Sequence, residues 1–478
     1  MRLIPALLAG TALIALHMSA PAYAAAPSGS GRVQVWETDA DQSKLLAQQP
    51  DLSFGHAEAA VVITVDPSRT YQSMVGFGAA MTDASAYILR HDMTPGQRDA
   101  LMRDLFDSSG DHLGLSFMRL TIGASDFSRV DYSYDDMPKG EQDPALAHFS
   151  LDPAKADVLP SVKQALLINP KLTLMASPWS APGWMKTSDS LITGSLKPEA
   201  YPYFADYLAR YVTVMKAEGA PILLITLQNE PGFEPADYPG MRVDPQARAD
   251  FIGGYLGPTF KADGIETKIL DYDHNWDLPS SPLTVLGDAR ANPYVAGVAW
   301  HCYAGDVGAQ GPVHDAYPDK DAYFTECSGG DWAPKFDESF DWFMKTLIIG
   351  STRNWARGVL FWNLALDENH GPHLGGCGDC RGVVTVDSRT GAVTRNLEYY
   401  ALAHASRFVR PGATRIASES GAGGISTVAF RNTDGSVALI ALNTNKTPTA
   451  FAVRRGAQSF AYTLPAGAAA SFVWRPAN

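Results

Sequence analysis

The sequence predicts an α/β protein: a (β/α)8 barrel, or TIM barrel, with an attached antiparallel β-sandwich domain built from both chain ends. Three observations predict it. Between residues 70 and 405, eight short apolar runs alternate with stretches of helical periodicity. From Thr414 onward that periodicity gives out, and short strand patterns recur between Gly, Asn and Thr turns. Two further strand patterns precede any helical segment and are expected to complete the C-terminal sheet, which makes the small domain discontinuous.

Residues 1–24 read as a signal peptide rather than as structure. Arg2 supplies a positive start, Leu3 to Leu16 is almost uninterruptedly apolar, and Ala22-Tyr23-Ala24 is a small-x-small cleavage pattern. The apolar run falls short of the roughly 18 residues that a spanning helix needs, and no later stretch is long and apolar enough to span. A secreted or periplasmic chain without an integral membrane span is expected. Residues 25–69 are assigned to the N-terminal strands, 70–405 to the barrel and 406–478 to the C-terminal sandwich.

Val33 to Thr38 (VQVWET) alternates as a half-buried strand, and Ala59 to Val65 (AAVVITV) forms a second that Asp66-Pro67 should close. The eight barrel runs follow: Met74 to Phe77, Leu115 to Leu120, Leu172 to Ala176, the run from Ile222, Lys268 to Asp271, Gly297 to Trp300, Ala322 to Phe324, and Gly358 to Phe361. Tyr201 to Lys216 carries Tyr203, Phe204, Tyr207, Leu208, Tyr211, Val214 and Met215, a helical stripe that is expected to pack on the barrel. Ile425 to Arg431, Ser436 to Asn443, Ala450 to Val453 and Ala470 to Trp474 supply the sandwich.

The fourth run organises the rest. Ile222 to Pro231 (ILLITLQNEP) opens with aliphatics on both faces, as a covered parallel strand does, and ends on Gln228, Asn229 and Glu230 before Pro231-Gly232 turns the chain. An N-E-P by itself serves a helix cap as well as it serves catalysis. In a parallel barrel, however, the C-terminal strand ends converge on one site.

The ends of the other runs carry matching chemistry. The third ends in Ser177-Pro178-Trp179, the sixth in His301-Cys302-Tyr303, the seventh in Thr325-Glu326 and the eighth in Trp362-Asn363, while Asp126 follows the second. Tryptophans, a tyrosine, a histidine, an asparagine and two glutamates suit a sugar-binding cleft. Glycoside hydrolysis needs one carboxylic acid to protonate the leaving oxygen and one ionised carboxylate to attack or to activate water. Glu230 is the candidate acid/base and Glu326 the candidate nucleophile.

Other classes fit less well. The net charge of −13 lacks the basic balance that nucleic-acid or anionic-membrane partners call for. No H-E-x-x-H, no G-x-S-x-G and no G-x-G-x-x-G is present, and His301, His370 and His373 are not at metal-ligand spacing. His370 and His373 read as surface or substrate-edge residues. Four cysteines are too few for a disulfide scaffold. Cys377 and Cys380, spaced C-x-x-C in a Gly-rich loop, read as a local disulfide; pairing of Cys302 with Cys327 is open.

The segments GFGAAMTDASA, MRLTIGASDFS, ASPWSAPGWMKT, TLQNEP, WHCY, TECSGG and FWNLAL, in this order and spacing, resemble glycoside hydrolase family 30, which includes lysosomal glucosylceramidase. The likeness runs from about Val75 to Ile416. It implies the same barrel with its sandwich, acid/base at Glu230 and nucleophile at Glu326. It also implies subsite contacts at Asp126, Trp179, Asn229 and Trp362, with His301 and Tyr303 on a segment beside the nucleophile. Ala79, Met81 and Cys302 depart from common family residues, which bears on the aglycone rather than on fold or reaction. The expected activity is retaining hydrolysis of β-glucosides with no cofactor and no metal, on a carbohydrate or glycolipid: a glucosylceramide-type lipid or a β-1,6-glucan. Xylan-, xyloside- or fucoside-acting relatives of the same fold are the alternative, and a non-catalytic carbohydrate-binding protein is a further one.

Overall fold

Eight parallel strands close into a barrel in this computed structural model, which describes residues 31–475. The expected signal peptide lies outside the described residues. The strands are β1 (Gly76–Ala80), β2 (Phe117–Ile122), β3 (Thr173–Pro178), β4 (Ile222–Thr226), β5 (Lys268–Asn275), β6 (Val295–His301), β7 (Asp321–Glu326) and β8 (Ala356–Asn363). Each of the eight apolar runs is one of these strands, paired in sequence order, with β8 returning to β1. The strand at the centre of the sequence argument is shorter than expected. Ladder pairing stops at Thr226, and Leu227 to Glu230 continue as irregular chain. Its burial is also incomplete, for Leu223 is 50% exposed at the N-terminal mouth.

Phe117, Met175, Leu224, Leu270, Ala299, Tyr323 and Leu360 come one from each of β2 to β8 and form a separate core inside the barrel. This apolar plug fills the lower interior and leaves the C-terminal mouth for polar side chains. Outside, the helices bury a much larger core, in which Phe204, Tyr207, Leu208, Tyr211 and Met215 of the helix Tyr201–Ala217 take part.

Both chain ends meet in a nine-stranded sheet in the order Ala47–Ser53, Arg32–Thr38, Ala469–Trp474, Val437–Asn443, Ile425–Arg431, Thr414–Ser418, Val61–Ser73, Thr449–Arg455, Gln458–Leu464. The last two strands fold over the others, so that Phe451 and Phe460 meet Phe472 at ring distances of 6.1 and 5.4 Å. The sheet is mixed rather than wholly antiparallel, because Val61 to Thr64 run parallel to Phe451 to Arg454. The second N-terminal strand does not stop at Asp66-Pro67 but runs to Ser73. The ladder with Thr414–Ser418 slips there, pairing Ile416 with Thr70 but Ala417 with Asp66, so the proline's missing N–H falls in an irregularity. The strand Ala47–Ser53 has no apolar alternation and was not legible: it is an edge strand bearing Pro50, held only by Arg32–Thr38. His404 pins the two parts together, with Nδ1 2.9 Å from Ser471 Oγ and Nε2 2.9 Å from Thr38 Oγ1.

Cys377 and Cys380 are bonded, as their spacing predicts, and Cys302 and Cys327 form a second disulfide joining the residues that follow β6 and β7. Among the described residues no helix is long and apolar enough to cross a membrane.

Candidate active site

Side chains two residues apart on a strand share a face. Two positions beyond the apolar plug, the inward layer is therefore Arg119 on β2, Ser177 on β3, Thr226 on β4, His301 on β6, Thr325 on β7 and Trp362 on β8. The β5 strand breaks the count. Tyr272 and Asp273 have φ of 79° and 53°, and the register with β6 slips between Tyr272 and His274. This irregularity turns Asp273, three residues beyond Leu270, into the barrel instead of Tyr272.

Asp273 is fully buried and saturated with donors. Oδ2 accepts from Arg119 Nη2 at 2.8 Å, Ser177 Oγ at 2.8 Å and Thr226 Oγ1 at 2.7 Å; Oδ1 accepts from Thr325 Oγ1 at 2.7 Å and faces His301 Nε2 at 3.0 Å. Burial by itself would raise its carboxyl, but Arg119 and His301 hold it far below the usual range. Asp273 is thus a fixed anion beneath the site.

Arg119 connects this anion to the chemistry above it. Nη1 donates to Glu326 Oε2, and Nη2 donates to Asn229 Oδ1 at 2.7 Å as well as to Asp273. Its guanidinium lies 4.8 Å from the ring of Trp179 and 5.5 Å from that of Trp362, which stack on each other at 5.0 Å. Tyr303 donates to the other oxygen of Glu326 at 2.9 Å.

Glu230 reaches the same place by a strained route. Its backbone N–H donates to Asp273 O at 3.0 Å and its φ is 46°, left-handed for a residue with a β-carbon. Oε1 lies 3.2 Å from His301 Nδ1 and 3.8 Å from His274 Nε2. Oxygens of Glu230 and Glu326 and a nitrogen of His301 lie within 4.8 Å of one another. Such a cluster is near enough to share a cation, but here its atoms are engaged with one another, with Tyr303 and with Arg119.

Burial opposes charge on the His301 imidazole, but Glu326, Asp273 and Glu230 around it outweigh that and raise its pKa from 6.5 to about 9. Burial likewise opposes charge on Glu230, and the hydrogen bond and charge of His301 bring its carboxyl below the ordinary value. The shared proton therefore sits on the imidazole rather than on the Glu230 carboxylate. The folded chain holds this proton more tightly than the unfolded one. The stabilisation is fully present below pH 6.5 and is lost as the pH rises through about 9. Thermal melts of wild type and His301→Gln are expected to differ by a constant gap below pH 6.5 that narrows toward pH 9. A gap that widens over that interval would contradict the assignment.

The cleft above has a volume of about 550 Å³ and is lined by Asp126, Trp179, Asn229, Glu230, Tyr303, Glu326 and Trp362, with Phe233, Tyr238, His274 and Trp332 among others. Seven of the eight sequence-selected residues thus line one space. The eighth, His301, was expected among the substrate contacts, but it is fully buried behind the carboxylates and is absent from the lining. Its ring nitrogens serve Glu230 and Asp273 instead. Asp126 is nine-tenths buried with Oδ1 unpartnered, and burial, then Glu326 and Glu230, push its carboxyl well above the usual range. The loop of the Cys377–Cys380 disulfide walls this corner. Gly376, at φ 69°, lies so close that a β-carbon there would stand 2.9 Å from Asp126 Cβ. His370 and His373 do not line the cleft.

Residue-type reasoning at the strand ends missed Arg119 and Asp273. The signal for Arg119 was present as a lone cation in the otherwise apolar run FMRLTI, where a charge has to be paired.

Comparison with known proteins agrees with this fold. The Glycosyl hydrolase family 30 TIM-barrel domain matches residues 74–409, and the Glycosyl hydrolase family 30 beta sandwich domain matches residues 412–472. The endo-1,6-β-D-glucanase BGN16.3 of Trichoderma harzianum is 38% identical over 403 residues, covering 79% of either chain. The lysosomal acid glucosylceramidase of Mus musculus is 28% identical, covering 91% of this chain and 88% of its own. The solved structure of the endo-β1,6-glucanase BT3312 is 34% identical with a TM-score of 0.86, covering 94% of this chain and all of that one. The chain belongs to glycoside hydrolase family 30 and is an O-glycosyl hydrolase.

Proposed function

We propose that the chain is an exported β-glucanase that cleaves β-1,6-linked glucan with retention of anomeric configuration, Glu326 acting as nucleophile and Glu230 as acid/base. The observation that carries the reaction type is that one oxygen of Glu230 and one of Glu326 lie within 4.8 Å of each other, which leaves no gap for a water between the two carboxylates. Retaining enzymes hold their carboxyl groups about 5 to 5.5 Å apart, whereas inverting ones leave about 6.5 to 9.5 Å for a water.

In the first step Glu326 attacks the anomeric carbon while the leaving oxygen takes a proton from Glu230. That proton crosses the 3.2 Å contact from His301 Nδ1 as a bound sugar excludes water and makes the glutamate harder to ionise. In the second step Glu230 takes a proton from water, which displaces the glycosyl group from Glu326. Arg119 and Tyr303 keep Glu326 ionised and aimed, because both of its oxygens accept hydrogen bonds. Asn229 spends its oxygen on Arg119, so its amide N–H groups are left for a sugar hydroxyl. The carboxyl group of Asp126, which lines the cleft, is suited to another, beside the Trp179–Trp362 stack.

The linkage is supported by three fungal relatives, 37 to 38% identical, that are named endo-1,6-β-D-glucanases, and by the BT3312 structure. The likeness to the mouse glucosylceramidase is weaker, at 28%. Product analysis on β-1,6-glucan, β-1,3-glucan, xylan and glucosylceramide tests the reading. A ladder of gluco-oligosaccharides from β-1,6-glucan is expected. Glucose release from glucosylceramide without attack on the glucan would overturn the linkage.

A further inference from the structure

A second cavity of about 400 Å³ opens off the catalytic cleft and shares Tyr303, Ser328 and Trp332 with it. Trp342, Phe343 and Glu338 line its far part. Trp332 is 54% exposed and Trp342 40%, unusual for the side chains that gain most from burial.

The first of these rings is held in place. Trp332 lies over Gly330, where a β-carbon would come within 1.9 Å of its Cζ3, so only glycine lets the ring rest there and leaves its other face open. Gly329 and Gly330 pair in turn with Arg381 and Cys380, and Cys380 is bonded to Cys377 in the cleft wall. Arg381 Nη1 donates to Gly330 O at 3.0 Å from below. A ring resting on a glycine bed, whose backbone a two-residue ladder ties to a disulfide-bonded loop, is a platform between two cavities.

We propose that this second cavity is a subsite for a further glucosyl unit of the chain being cleaved. Trp332 passes the chain out of the cleft, Trp342 supplies an apolar wall for the pyranose C–H face, and Glu338 accepts from its hydroxyls. A β-1,6 link adds a rotatable bond between rings, which lets successive units turn onto a neighbouring surface. The proposal rests on the glucanase reading above and adds a dependence on chain length.

The test compares wild type, Trp342→Ala and Trp342→Phe on an aryl β-glucoside, octyl β-glucoside and β-1,6-gluco-oligosaccharides of two to six units. In wild type kcat/KM is expected to climb with chain length. In Trp342→Ala the ratio of kcat/KM on the longest oligosaccharide to that on the aryl glucoside should fall about tenfold, the order expected for one aromatic contact. Trp342→Phe should restore most of it. A ratio unchanged by Trp342→Ala, with wild type active on the oligosaccharides, would overturn the subsite alone. A selective loss on octyl glucoside would assign the cavity to an apolar aglycone and overturn it as well. Absence of wild-type turnover on every oligosaccharide would overturn the glucanase reading and the subsite with it.

Discussion

Glu326→Gln is expected to lower kcat on every glycoside by about four orders of magnitude or more, because an amide oxygen cannot form the glycosyl-enzyme. Its surroundings predict that the fold will survive. Glu326 is 5% exposed and accepts from Arg119 and Tyr303, and a glutamine of the same shape can still accept from at least one of them. Steady-state kinetics on an activated aryl β-glucoside, with a thermal melt of the same sample, checks this. A melt close to wild type with activity lost is the expected pair of results; retention of more than a hundredth of wild-type kcat would count against the role.

Arg119→Met should cost both activity and stability, and for one reason. The guanidinium is completely buried and links Glu326, Asn229 and Asp273. Methionine fills similar volume but leaves Asp273 with only the His301 imidazolium as cation and takes from Glu326 the cation that is hydrogen-bonded to it. Removing one partner of a buried pair typically destabilises by about 3 to 5 kcal/mol. Freed from one of its two hydrogen bonds, Glu326 also loses aim, and a kcat loss of at least about a hundredfold is expected. Arg119→Lys should not restore wild-type behaviour, since a single ammonium cannot reproduce the fork that reaches three acceptors. Chemical denaturation beside kinetics tests both halves. An Arg119→Met variant as stable and as active as wild type within fivefold would remove arginine from the account.

The barrel was legible because its strands are buried on both faces and announce themselves as short apolar runs. Their polar ends were legible because a parallel barrel brings such ends together whatever their separation in sequence. That is why the sequence pairs Glu230 with Glu326, 96 positions apart in the chain, and sets Asp126, Trp179, Asn229, Tyr303 and Trp362 beside them. What could not be read depends on departures from regular geometry. Asp273 faces inward only because of the slip at Tyr272, and an even count from Leu270 would have chosen the tyrosine. His301 is where a strand-end residue should be, but residue type could not tell a side chain facing substrate from one fully buried beneath the acid. The edge strand Ala47–Ser53 has no buried face to impose a pattern, and the passage of a strand through Pro67 relies on an irregular ladder.

The division of labour between the two glutamates is tested most directly by trapping the intermediate. Wild-type protein is incubated with a 2-deoxy-2-fluoro-β-glucoside bearing a good leaving group, then digested, and the labelled peptide is sequenced by mass spectrometry. The account predicts one fluoroglucosyl group per chain, on Glu326. A label on Glu230, or turnover of the reagent through a product of inverted configuration with no labelled enzyme, would contradict it.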